Sequence, residues 1–217
     1  MVGSHGNLLF SGVDTGFHGP QQNLQNGKPT SFPYFKEHSV KPMLSVISDD
    51  DRFLKSLVDA IGRIECSEFF STHLGKSQSD QKLLVAQFQK AAASRLIGSI
   101  QEVKWSTEYT PSANNRDSID IFGNGSGFVV VIELDKSRAD QVAKKFVSRI
   151  ALLPADKVYF VSLCYPGTES MNTSECEKYF GYCSKLALRT RNHYAGFIIG
   201  QEPYTTTIDR HIATQLP

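Results

Sequence analysis

The sequence predicts an α/β protein in which a mixed β-sheet carries helices on both faces, preceded by an irregular N-terminal arm. Three observations predict it. Helical apolar stripes and short strand-like runs alternate through the second half of the chain. Two neighbouring strands are joined by a connection of hairpin length, and the later strands are separated by stretches long enough to be crossover helices. Strands joined first by hairpins and then by helices need both antiparallel and parallel neighbours. The 217 residues suffice for one well-buried domain and are too few for two ordinary ones. A compositional boundary near residue 43 separates that domain, 43–217, from an arm, 1–42, rich in Gly, Asn, Gln and Pro.

In "SDDDRFLKSLVDAIGRIECSEFF", Phe53, Leu54, Leu57, Val58, Ile61 and Ile64 recur at three- and four-residue intervals, and the Ser48–Asp51 cluster supplies a helix start. A second helix lies in "SDQKLLVAQFQKAAASRLIGSI". Leu84, Phe88, Ala91, Ala92 and Leu96 form its stripe, Ser79 its N-cap, and Gly98 lies near its end. "QEVKWSTEYT" alternates around Val103, Trp105 and Tyr109 as a strand does, and "PSANNRD" is a turn cluster. "SIDIFG" is a short strand, "NGSG" a tight connection, and "FVVVIEL" a strand buried on both faces. In "SRADQVAKKFVSRIALLP" a Ser137/Asp140 capping box opens a helix with Ala139, Val142, Ala143, Phe146 and Ile150 on its stripe; Pro154 ends it. "KVYFVSL" is another buried strand, "NTSECEKYFGYCSKLALRTR" a helix starting around Asn172 and Glu175, and "HYAGFIIG" the last strand.

Composition excludes several classes. Apolar content of 40% with 21% charged residues is that of a soluble globular protein, and a net charge of +1 gives no overall field for a polyanion. No apolar run reaches membrane-spanning length, and the first residues lack the basic-then-apolar pattern of a secretory signal. Cys66, Cys164, Cys176 and Cys183 form no CxxC pair and read as reduced thiols of a cytoplasmic protein. The six histidines are scattered, and no nucleophile elbow, P-loop or dinucleotide fingerprint is present.

The chemistry gathers where "FVVVI" runs into Glu133-Leu134-Asp135-Lys136. Strand alternation points Glu133 and Asp135 the same way with Leu134 opposite. The hairpin can bring Asp120 beside Glu133. Three carboxylates at one sheet end repel unless a cation or protons lie between them. Hard oxygen ligands of this kind suit Mg²⁺ or Mn²⁺, which act as Lewis acids on phosphodiesters and lower the pKa of an attacking water. Lys136 is the nearest lysine in sequence, although alternation faces it away from Glu133 unless the strand end twists. Arg138, Gln141 and Lys145 share one face of the following helix. From Lys136 to Arg149 there are five basic residues and one acidic, Asp140, so the face suits a phosphate backbone.

An Asp, a hairpin, a Val/Ile-rich strand ending in Glu-x-Lys and a basic helix form the core of the restriction-endonuclease-like, or PD-(D/E)XK, nuclease superfamily. "SIDIFGNGSGFVVVIELDKSRADQVAKKF" resembles that core, over residues 100–165 and more loosely over 45–200. The resemblance implies an α/β/α endonuclease, of restriction or repair type, hydrolysing DNA with Mg²⁺ or Mn²⁺, with RNA as the other substrate it allows and a homodimer as a frequent assembly. Asp120 and Glu133 would be metal ligands. Asp135 stands where the family has its lysine, so it would serve as a third ligand with Lys136 or a helix lysine such as Lys144 supplying the charge, or it marks lost activity. The rival readings are a nuclease fold kept as a binding module without turnover, and an assembly subunit docking through the arm.

Overall fold

The structure is a computed structural model that describes residues 39–111, 118–136, 139–166 and 173–201. Residues 1–38 of the expected arm, Arg138, and the Ser137 and Asn172 caps lie outside the described residues.

The elements run β1 (Val40–Ile47), α1 (Arg52–Gly62), α2 (Ser67–Phe70), a 3-10 turn (His73–Gly75), α3 (Gln78–Ser99), β2 (Lys104–Tyr109), β3 (Ile119–Gly125), β4 (Phe128–Lys136), α4 (Ala139–Leu152), β5 (Val158–Tyr165), α5 (Thr173–Arg189) and β6 (His193–Gln201). The six strands form one mixed sheet in the order β1-β6-β5-β4-β3-β2. β2, β3 and β4 are an antiparallel meander, β4, β5 and β6 are parallel across α4 and α5, and β1 returns antiparallel to β6. This is the predicted α/β architecture with helices on both faces.

Each face has its own core. On one, α1, α2 and α3 cover Trp105, Val130, Ile132, Val161, Leu163 and Phe197 with Leu54, Leu57, Phe70, Phe88 and Leu96. On the other, α4 and α5 cover Phe122, Val131, Phe160, Cys164 and Tyr194 with Val142, Phe146, Phe180 and Ala187. The central β5 is buried along its whole length, as its unbroken apolar run requires.

Local chemistry accounts for the ends. Asp51 caps α1 by accepting the amides of Phe53 and Leu54 at 2.9 and 3.0 Å. α3 is capped by Ser77, whose hydroxyl accepts the Asp80 amide; Ser79, the expected cap, is already helical. Two residues, Ser126 and Gly127, join β3 to β4, with Gly127 at φ +80°, so Asn124 and Gly125 of the expected connection belong to β3.

β1 was not expected. It begins at Val40, inside the segment assigned to the arm, and carries Pro42. A proline is tolerated there because, among the described residues, β1 is an edge strand with β6 as its one neighbour. No helix among the described residues is long and apolar enough to cross a membrane.

Candidate active site

The site forms where β3 and β4 part. Their pairing runs from Gly125 and Phe128 to Ile121 and Ile132 and stops there. Beyond that point the Leu134 amide donates not to a backbone carbonyl but to Asp120 Oδ2, at 2.7 Å. The carboxylate thus sits in the opening between the strands. Its other oxygen, Oδ1, accepts from Gln89 Nε2 of α3 at 2.7 Å.

Alternation along β4 places Glu133 and Asp135 toward α4, as expected, and Leu134 toward α3. Lys145, on the second turn of α4, reaches back to them. Its ammonium lies 3.1 Å from Glu133 Oε2, 3.0 Å from Asp135 Oδ1 and 3.6 Å from Asp120 Oδ2, and donates to the Leu134 carbonyl at 2.9 Å. One turn further on, Arg149 Nε donates to Glu133 Oε1 at 2.7 Å, and the same guanidinium donates to the Ser118 carbonyl at 2.9 Å. Asp135 is only 4% exposed and its Oδ2 has no hydrogen-bond partner.

Burial, and next the Glu133 carboxylate, push Asp120 up to about 7 against the pull of Lys145 and the Leu134 amide. Burial raises Asp135 too, with Lys145 and Arg149 opposing. Burial disfavours charge on Lys145, but Asp135, Glu133 and Asp120 outweigh it and hold the ammonium above the ordinary lysine range. The cluster therefore behaves as one electrostatic unit.

On the α3 side, Gln89, the donor to Asp120 Oδ1, lines a cavity of about 300 Å³ together with Gln78, Gln81, Lys82, Glu108, Lys136 and Tyr165 among others. Burial and the charge of Asp120 push the Tyr165 phenol up to about 12, so it stays a neutral donor.

The expected residues thus separate. Asp120, Glu133 and Asp135 come together. Lys136 is on the opposite side of β4 from Glu133, where its amine donates to Gln81 Oε1 at 2.7 Å. Lys145, expected on a phosphate-facing surface, is turned into the acids. Gln141 donates to Asp140 Oδ2 at 3.0 Å on the exposed first turn of α4. Lys144 is exposed. Sequence reasoning missed Gln89, Arg149 and Tyr165. A polar residue inside the apolar stripe of α3 was the available signal for Gln89; nothing local marks Arg149, whose partner is sixteen positions earlier.

Among the described residues, no three His, Cys, Asp or Glu side chains are arranged as a metal cage. The three acids converge on an ammonium instead. Even so, the donor set suits a divalent ion: carboxylate and carbonyl oxygens surround one cationic point, and one buried carboxylate oxygen is orphaned there. Comparison with protein-family models, curated proteins and solved structures finds no match to this chain.

Proposed function

We propose that this protein is a divalent-metal-dependent phosphodiester hydrolase acting on DNA, built on a restriction-endonuclease-like core in a reducing, cytoplasmic setting. One observation carries the reading. Acids from two parting strands, Asp120, Glu133 and Asp135, lie within 3.6 Å of a single cationic point, and Gln89, bonded to Asp120, lines a neighbouring cavity. Mg²⁺ or Mn²⁺ would be held by Asp120 and Glu133 with Asp135 assisting; when bound, the ion supplies Lewis acidity and an activated water.

The chain's own residues supply the rest. Gln89 and the Leu134 amide fix both oxygens of Asp120. Lys145 takes over the positive charge that the family pattern places where Asp135 stands. Lys82 and Lys136 put cations on the cavity wall for phosphates, and Gln78 and Gln81 offer amides to the nucleotide.

The test is cleavage of plasmid and linear DNA in Mg²⁺ or Mn²⁺ by the unmutated protein and by Asp120→Asn, which keeps an acceptor for Leu134. A loss of at least about a hundredfold is expected, the scale for removing one preorganised charge partner. Absence of both metal binding and DNA binding by the unmutated protein, across several salt concentrations, defeats the enzyme reading.

A second reading has its own support. Arg149 on Glu133 Oε1 already neutralises one acid, and Asp135 replaces the expected lysine. On that reading the fold binds nucleic acid without turnover. DNA binding undiminished by EDTA, with no cleavage in Mn²⁺, would favour it.

A further inference from the structure

We propose that Lys145 is a competing cation built into the site, its ammonium occupying the acid cluster until a divalent ion displaces it. The inference rests on the metal-binding reading above and deepens it.

Stoichiometry is the first argument. An ammonium has three donors. Four oxygens face Lys145 Nζ, from Asp120, Glu133, Leu134 and Asp135, and Asp135 Oδ2 remains unpaired beside them. The ammonium therefore leaves the acceptors under-supplied. An octahedral ion accepts oxygen ligands, waters included, in greater number.

Space is the second. Mg²⁺ binds oxygen at about 2.0–2.1 Å. An ion that close to Asp120 Oδ2 and Glu133 Oε2 would take the two oxygens that Nζ faces at 3.6 and 3.1 Å. Two cations drawn to the same oxygens repel each other.

Charge is the third. Asp120, Glu133 and Asp135 ionised carry three negative charges, against two positive from Lys145 and Arg149. With Lys145 out and a divalent ion in, Arg149 and the ion together match the three acids. The two cations differ in freedom to leave. The Lys145 side chain is 27% exposed on a flexible stem, whereas that of Arg149 is 6% exposed and is also tied to the Ser118 carbonyl. Lys145 is the one that yields. Displacement delivers a lysine amine beside the ion at the moment the ion arrives.

The experiment is calorimetric titration of Mn²⁺ at pH 8 into the full chain and into Lys145→Met, which keeps the stem and removes the charge. Losing a competitor held by charge-assisted hydrogen bonds should tighten Mn²⁺ binding about ten- to a hundredfold. Metal-free Lys145→Met should also melt at a lower temperature and regain more on Mn²⁺ addition than the unmutated protein. Equal or weaker Mn²⁺ binding by the variant overturns the proposal and leaves the metal reading standing. Absence of binding by either protein overturns both. If Lys145→Met does not fold, reductively methylated unmutated protein gives the answer by NMR. Mg²⁺ should move the Lys145 methyl resonance, assigned by its loss in Lys145→Arg, toward those of exposed lysines; a resonance unmoved at saturating Mg²⁺ is contrary evidence.

Discussion

Two aspartates show how the same carboxyl group is put to different uses. Asp51 is partly exposed and well supplied with donors. Burial would raise its pKa, but the Leu54 amide, the Tyr159 hydroxyl, His193 and the Phe53 amide outweigh it and lower it below 3.8. A carboxylate with a depressed folded pKa contributes stability that is present above the unfolded value and lost as pH falls through the folded one. Asp51→Ala should therefore cost about 1 kcal/mol at neutral pH, and the gap in melting temperature should close below pH 3.8; a gap independent of pH would contradict this. Asp120 is the reverse case, pushed up to about 7 by burial and then by Glu133. Arg149 and Lys145 together make Glu133 tolerable in the interior. The Arg149 and Glu133 side chains are nearly inaccessible, at 6% and 1% exposure. Arg149→Met should cost about 3–5 kcal/mol, the scale for removing one partner of a buried ion pair, whereas a drop below 1 kcal/mol in chemical denaturation would mean that Lys145 alone suffices for Glu133.

At the scale of elements, the close approach of α5 to the sheet depends on Gly196. A Cβ built at that position would lie 2.5 Å from the Phe180 ring, itself fully buried. Gly196→Ala should destabilise the protein by about 1–3 kcal/mol through overpacking; an unchanged denaturation midpoint would show that α5 can retreat. The elements themselves were largely legible. The 3.6-residue stripes of α1 and α4, the alternation of β2 and the solid apolar runs of β4 and β5 leave few alternatives. β1 escaped because Lys41 and Pro42 break its pattern, which matters little at an edge. In α3 the predicted stripe held at Phe88, Ala92 and Leu96, but Ala91 is exposed and Gln89 buried. The convergence of Asp120 with Glu133 was legible because hairpin pairing is local. The role of Lys145 was not, since the turn of a helix across the sheet is set by packing, and one sequence cannot say whether a lysine faces phosphate or acid.

For the whole molecule, the proposed action on DNA turns on how much positive charge remains once the interior acids are served. Net charge is +1. Of the basic residues on α4, Lys145 and Arg149 are engaged by Glu133 and Asp135, which leaves Lys144 exposed on that helix and Lys82 and Lys136 beside the cavity. Three phosphate contacts correspond to a slope of about −3 in a plot of log affinity against log salt concentration. Fluorescence anisotropy should return a shallow slope of that order, and one steeper than about −6 would require a basic surface outside these residues.

The central claim is that Asp120 and Glu133 share one divalent ion in the acid cluster Lys145 now occupies, and anomalous diffraction from crystals soaked in Mn²⁺ addresses it most directly. The account predicts a manganese peak between Asp120 Oδ2 and Glu133 Oε2, with the Lys145 amine moved out of the cluster. A saturating soak that leaves the ammonium in place, with no peak between the two acids, would contradict it.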